Sequence, residues 1–206
     1  MTLPAVEQNP VVDAVFALEG KTLARDHAQA LQQALLQQLP WLSSEGGAGI
    51  HPLKLVLGPE RLALVSQRTR LILRTRAHRL EALQALAGVQ LDVAGHALRL
   101  GNVHLRPLQP LATLYAYRVA ADSADEAHFM AAMGSELAQL GITGERVCGK
   151  RQDMRVDGRD MTTFSMMLHG LVPAQSLFLQ RNGLGPHRLW GCGLFVPHKS
   201  AAAVGV

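Results

Sequence analysis

Residues 183–193 read Gly-Leu-Gly-Pro-His-Arg-Leu-Trp-Gly-Cys-Gly: a G-x-G pair, five residues, and a second G-x-G pair. Glycine has no Cβ, so Gly183, Gly185, Gly191 and Gly193 let backbone amides come close to a phosphate or a ribose. His187 and Arg188 stand between the two pairs, where they would add charge or a proton-transfer group. The order of elements decides what kind of loop this is. A dinucleotide fingerprint follows the first strand of its unit and opens a helix. Here a helical stretch with proline at its start, residues 173–181, comes first, and an apolar strand-like run, residues 194–196, comes after. A glycine loop placed so late, between a helix and a last strand, points towards RNA. The plain reading of the same spacing is a turn running into a glycine-rich strand.

Outward from that loop, one pattern is used twice. In the second half, TLYAYRVA (113–120) reads as a strand and residues 124–140 as an amphipathic helix. Residues 145–154 and 162–169 form a strand pair around the Asp157-Gly158 turn. In the first half, PVVDAVFAL (10–18) reads as a strand. Asp26 is placed to cap a helix from His27 to Leu39, which Pro40 stops. Extended runs follow at 51–57 and 68–75, with a short piece at 62–65 between them. Residues 77–87 read as a helix and 91–106 as extended chain. Each half is therefore β-α-β-β-α-β. The expected fold is α+β, two tandem ferredoxin-like (RRM-like) βαββαβ domains with a C-terminal glycine-rich loop. The seam falls near PLQP, which divides the chain into residues 1–110 and 111–206.

The chain of 206 residues carries a formal net charge of +4, and its basic residues are 16 Arg against 4 Lys. A flat guanidinium suits phosphates and stacked bases better than an ammonium point charge, which favours a nucleic-acid partner. Solvated surface arginines are the bland alternative. Aromatic residues make up only 4%, so base stacking of the RRM kind is poorly supported, and a folded stem held through its backbone fits better. Tyr115 and Trp190 read as core residues before they read as stackers. The N-terminal residues show no basic-then-apolar signal, and no run of about 18 apolar residues is present to span a membrane. Cys148 and Cys192 fit neither a CxxC pair nor a disulfide framework, and a reduced, cytoplasmic setting with no membrane partner is expected. The nine histidines lack metal-ligand spacing, so no metal site and no cofactor are expected.

Tandem ferredoxin-like units, an arginine-rich surface and the late glycine loop together resemble the CRISPR repeat-processing endoribonucleases of the RAMP superfamily, the Cas-six family, and within it the MYXAN subtype. The segments that carry the resemblance are ALEGKTLARDHAQAL (17–31), PWLSSEGGAGIHPL (40–53), TLYAYRVA, VCGKRQ (147–152), FSMMLHGL (164–171) and GLGPHRLWGCGLFVPHKS (183–200). The resemblance implies metal-independent cleavage of precursor CRISPR RNA within its repeats. In that reaction a ribose 2′-hydroxyl attacks its own phosphodiester and leaves a 2′,3′-cyclic phosphate and a 5′-hydroxyl. It also implies members that hold the mature guide RNA and members that join an interference complex, so repeat RNA and other complex subunits are the expected partners. Two rival readings are a non-catalytic RAMP-fold subunit gripping the repeat-derived handle and a small-molecule enzyme on the same scaffold.

Internal attack needs a base beside the 2′-hydroxyl and a cation or amide beside the phosphorane. Histidine, with an ordinary pKa of about 6.5, is the natural base. Relatives commonly carry such a histidine on the first helix, which nominates His27; the alternative is a capping-turn residue beside Asp26. His51, in GIHPLK with Lys54 nearby, is the second candidate. His169 reads as structural. For RNA holding, the candidates are Lys54, Lys150, Arg151, Gly183, Gly185, His187, Arg188, Gly191, Gly193, His198 and Lys199. Lys150 and Arg151 sit on a hairpin that can brace the base of a stem, or simply charge a solvated strand edge. Arg68, Arg70, Arg74 and Arg76 alternate, which puts them on one sheet face that either tracks phosphates or meets solvent.

Overall fold

The computed structural model describes residues 9–198. The first half runs β1 (Val11–Gly20), β2 (Thr22–Ala24), α1 (Ala28–Gln38), β3 (Gly49–Ile50), β4 (Val56–Leu57), β5 (Leu62–Leu64), β6 (Arg70–Arg76), α2 (Leu80–Gln84), β7 (Gln90–Val93) and β8 (His96–Pro107). The second half runs β9 (Leu114–Ala120), α3 (Glu126–Gln139), β10 (Glu145–Val156), β11 (Arg159–His169), α4 (Pro173–Asn182) and β12 (Phe195–Pro197). The first sheet is antiparallel in the order β3-β6-β1-β8-β7, and the second in the order β10-β11-β9-β12. In both, the first and third strands of the βαββαβ unit lie side by side, flanked by the second and fourth. That is the expected ferredoxin-like arrangement, twice.

Alternation along the strands builds a separate core in each half. Ala14, Phe16 and Leu18 of β1 meet Leu71 and Leu73 of β6 and Leu98 and Leu100 of β8, under Leu31, Ala34 and Leu35 of α1. In the second half, Leu114 and Ala116 of β9 join Phe164, Met166 and Leu168 of β11 under Phe129, Met133 and Leu137 of α3. Phe129 and Phe164 stack with ring centroids 4.7 Å apart. Burying one such side chain contributes about 1.5–3 kcal/mol, so each half has its own hydrophobic driving force.

Asp157 and Gly158 both take positive φ, 50° and 75°, as a two-residue type I′ hairpin demands. The tip of that hairpin docks on the first half. The Gln29 and Asp157 side chains pair, the Asp157 amide donates to Gln29 Oε1 (3.0 Å), and the Arg155 amide donates to Asp26 Oδ1 (3.1 Å). Asp26 is thus not the helix cap expected from the sequence. His27 occupies the N-cap position without a side-chain cap bond, its Nδ1 facing the Ala24 carbonyl, while the Asp26 carboxylate is engaged across the seam. Three further expectations change. Residues 51–57 are not one strand, since β3 belongs to the first sheet and β4 to a small sheet ordered β2-β5-β4. The helix at 77–87 shrinks to a 3-10 turn, Ala77–Arg79, and the five residues of α2. The extended chain at 91–106 is a hairpin turning at Ala94 (φ 51°) and Gly95 (φ 83°), with Val93 opposite His96.

Candidate active site and RNA-facing cleft

The two candidate histidines lie together. His27 at the start of α1 and His51 just after β3 line one narrow cavity with Arg118, Pro52, Leu189 and Trp190. The segment after β3 is held from behind by the glycine loop: a Cβ at Gly191 would come within 3.0 Å of Pro52 Cγ and 3.3 Å of the Ile50 carbonyl oxygen. Trp190 donates from Nε1 to Gln32 Oε1 of α1 (2.7 Å), tying the loop to the helix that carries His27.

The two imidazoles differ in what is left free. His27 is buried, and its Nδ1–H donates to the Ala24 carbonyl (2.9 Å), leaving Nε2 as the lone-pair nitrogen. Burial pushes its pKa below the ordinary value, and the Arg118 charge pushes it further, against the pull of hydrogen bonds to the Ala24 and Arg25 carbonyls and of the Asp26 charge. His51 is also buried, and its Nε2 lies 3.3 Å from Asp13 Oδ1. Burial lowers its pKa as well, opposed by the hydrogen bond to Asp13. His27 is therefore a neutral imidazole with an uncommitted acceptor, whereas His51 has one nitrogen spent on a carboxylate.

Asp13 is the charge centre of this region. Arg74 donates to both of its oxygens (Nε to Oδ1 at 2.9 Å, Nη2 to Oδ2 at 3.3 Å), and Arg106 donates to Oδ2 at 3.0 Å. Burial would raise the Asp13 pKa; the His51 hydrogen bond and the Arg74 charge outweigh it and hold the carboxyl well below the usual range. Arg74 does share the β6 face with Arg70 and Arg76, as the alternation suggested, whereas Arg68 lies in the turn before the strand. That face meets neither solvent nor ligand at Arg74, which is fully buried and donates from Nη1 to the Gln180 and Phe195 carbonyls of the second half, both at 2.8 Å.

Beside the cavity a cleft of about 610 Å³ opens between the halves and shares His51 and Pro52 with it. Lys54, Arg68, Arg70 and Arg106 line it from the first half, and Tyr117 and His198 from the second. Lys54 Nζ sits 5.1 Å from the Tyr117 ring centroid, and His198 packs 5.6 Å from Tyr115.

The glycine loop itself is folded inward. The Leu184 amide donates to the Gly193 carbonyl (3.2 Å) and the Gly193 amide to the Arg118 carbonyl (2.7 Å). A Cβ on Gly193, whose φ is +66°, would drive into the Leu184 carbonyl oxygen, and one on Gly183 into the Gly193 carbonyl and the Arg188 guanidinium. Left-handed backbone costs a non-glycine residue about 1–2 kcal/mol before any clash. Gly193→Ala is therefore expected to lower the thermal midpoint by at least roughly 4 °C, and a circular-dichroism melt checks it. Arg188, a candidate RNA ligand, spends its guanidinium on the seam: Nε donates to the Ala48 carbonyl (3.1 Å) and Nη2 to those of Gly47 (2.5 Å) and Arg181 (3.1 Å). The Gly185 amide is taken by Glu136 Oε1 at 2.9 Å. His187 is exposed and stacks on Trp190 at 4.5 Å. Lys150 and Arg151 are exposed at a bulge in β10, where Arg151 meets Asp153 at 3.4 Å, and neither lines the cavity or the cleft. Lys199 lies outside the described residues.

A family model described as Cas6 Crispr matches residues 12–200. A curated relative, the CRISPR-associated endonuclease Cas6 of Myxococcus xanthus (strain DK1622), is 35% identical over 194 residues, covering 94% of this chain and 84% of the relative. The chain belongs to the Cas6 family. Among solved structures, a CRISPR associated protein Cas6 superposes with a TM-score of 0.67 at 10% identity, covering 93% of this chain and 100% of the other. Cse3 of Thermus thermophilus, bound to an RNA representing a pre-cleavage complex, gives 0.54 at 17% identity over 90% and 98% of the two chains. At those identities the likeness shows a common fold.

Sequence reasoning missed three residues of the candidate site in this Cas6-family chain. Arg118 lay unremarked inside TLYAYRVA, although a lone arginine in an otherwise apolar and aromatic strand is a signal. Asp13, a single carboxylate in PVVDAVFAL, carries the same signal, because a charge within an apolar strand requires a partner. Arg106 gave no local sign, since its role comes from lying opposite Asp13 in the register. No helix among the described residues is long and apolar enough to cross a membrane.

Proposed function

We propose that the chain cuts precursor CRISPR RNA within its repeats, without a metal ion, by attack of the 2′-hydroxyl next to the scissile phosphate. The observation that carries this reading is His27: a buried imidazole with Nδ1 tied to a backbone carbonyl and Nε2 uncommitted, in a cavity shared with a cation, Arg118. Nε2 takes the proton from the 2′-hydroxyl, and the freed oxygen bonds to phosphorus. The P–O5′ bond breaks on the opposite side, and the leaving oxygen gains a proton from a second donor. The products are a 2′,3′-cyclic phosphate and a 5′-hydroxyl. Arg118 steadies the extra negative charge on the phosphorane. Lys54, Arg68, Arg70, Arg106 and His198 hold the RNA backbone in the cleft that opens onto the cavity, and His187 and the Lys150–Arg151 edge add contacts outside it. Residues 1–110 then supply the base, and residues 111–206 supply Arg118 and the glycine loop that braces the pocket.

The test is labelled repeat RNA in excess EDTA beside the same RNA with a 2′-deoxy sugar at the cut site. Cleavage of the first and survival of the second is the expected outcome. Tight binding with both RNAs intact would instead make the chain a guide-RNA handle-binding subunit.

The pH dependence follows from the direction of the His27 shift. Because the folded pKa lies below the ordinary value, the neutral base persists as pH falls through about 6.5 and is lost only below that. The cleavage rate should stay level from neutral pH down through that point and then drop. Arg118→Gln removes a charge that depresses the shift, so its acid limb should move to higher pH and its plateau rate should fall by roughly 10²–10³-fold. Single-turnover rates across pH 4.5–8 (roughly two units either side of an ordinary histidine pKa) check both.

A further inference from the structure

We propose that Asp13 is a positioning residue that fixes the register between the RNA-holding cleft and the cleavage cavity. In the sheet, Asp13 lies directly opposite Arg74 on one side and Arg106 on the other. Oδ1 receives His51 Nε2–H and Arg74 Nε–H; Oδ2 receives Arg74 Nη2–H and Arg106 Nη2–H. One carboxylate therefore aligns a wall residue of the cavity, His51, with a residue of the cleft, Arg106. Through Arg74 the same carboxylate is tied to the Gln180 and Phe195 carbonyls, so the frame includes α4 and β12 of the opposite half.

The Asp13 side chain is only 4% exposed and both of its oxygens are taken by His51, Arg74 and Arg106, so it acts through the groups that it aims. Arg106 is half exposed and is free to meet a phosphate with the donors that Asp13 leaves unused. A phosphodiester held by Arg106 then stands at a set distance from the cavity where His27 acts. In-line attack tolerates little error in that distance, and a misplacement of about 1 Å can cost about 10²-fold in rate. The inference rests on the endoribonuclease reading above.

The test uses the full chain, saturating protein and labelled repeat RNA, with cut positions mapped to single nucleotides. Asp13→Asn keeps the shape but replaces one acceptor oxygen by a donor, which releases His51 or Arg106. The expected result is RNA affinity within about threefold of the parent protein, cleavage slower by roughly 10–100-fold, and cuts spread to neighbouring phosphodiesters. A purely structural role would lower the melting temperature while leaving the rate of the folded protein and its single cut position unchanged, and that outcome overturns the proposal. Should Asp13→Asn fail to fold, Arg106→Ala, which removes a half-exposed side chain, decides the matter. Spread cuts support the frame, whereas one unshifted cut at the parent rate overturns it. If the parent protein leaves repeat RNA uncut, the endoribonuclease reading itself fails and this proposal fails with it.

Discussion

Replacing His27 by alanine is expected to slow cleavage of repeat RNA by roughly 10²–10⁴-fold while leaving the Kd for that RNA within about threefold. The rate effect follows from the state of the imidazole, which is neutral, anchored through Nδ1 and open at Nε2. The small binding effect follows from its burial, since the exposed cations proposed to hold RNA lie in the neighbouring cleft. Single-turnover cleavage and a filter-binding titration on the same RNA separate the two. His51→Ala is the informative contrast. It removes a donor from the buried Asp13 carboxylate, so its fall in melting temperature should exceed that of His27→Ala, which loses only a bond to a backbone carbonyl. Full activity of His27→Ala would remove His27 from the base role and return His51 to it.

Arg74→Met should be the most destabilising single change at the seam. It deletes two of the donors to Asp13 and removes the Nη1 donor from two carbonyls of the second half at once. Breaking a buried ion pair from one side costs about 3–5 kcal/mol, because the remaining charge stays buried without its partner. For a chain of this length each kcal/mol moves the midpoint by about 2–4 °C, so a drop of roughly 10 °C is expected in a thermal melt. A drop below roughly 2 °C would mean that Arg106 and His51 satisfy Asp13 unaided.

The fold was legible wherever a feature is local. The Asp157-Gly158 turn, the proline at the start of α4 and the apolar stripe Leu31, Leu35 of α1 each act within a few residues, and they placed their elements to within three residues. The β7–β8 hairpin escaped notice because Ala94 is an unusual occupant of left-handed backbone. The site was legible in part. Alternation put Arg74 on the same face as Arg70 and Arg76, but what covers that face is settled by Gln180 and Phe195, more than a hundred residues away. Arg188 is the same case, its partners Gly47 and Ala48 lying 141 and 140 residues upstream. The glycines were read for their openness to a ligand, and in the fold Gly183 and Gly193 are needed for closeness to each other.

The docking of the 155–157 hairpin tip and of the 188–191 loop onto α1 and its flank has a consequence for synthesis. Residues 9–107 can pair into their own sheet as they leave the ribosome, yet Leu189 and Trp190, which close the cavity around His27, are made about 160 residues later. At a synthesis rate of roughly 5–20 residues per second, that delay is on the order of 10 s. A nascent chain thus carries its histidine early and gains the last walls of the cavity around it only when the glycine loop is made.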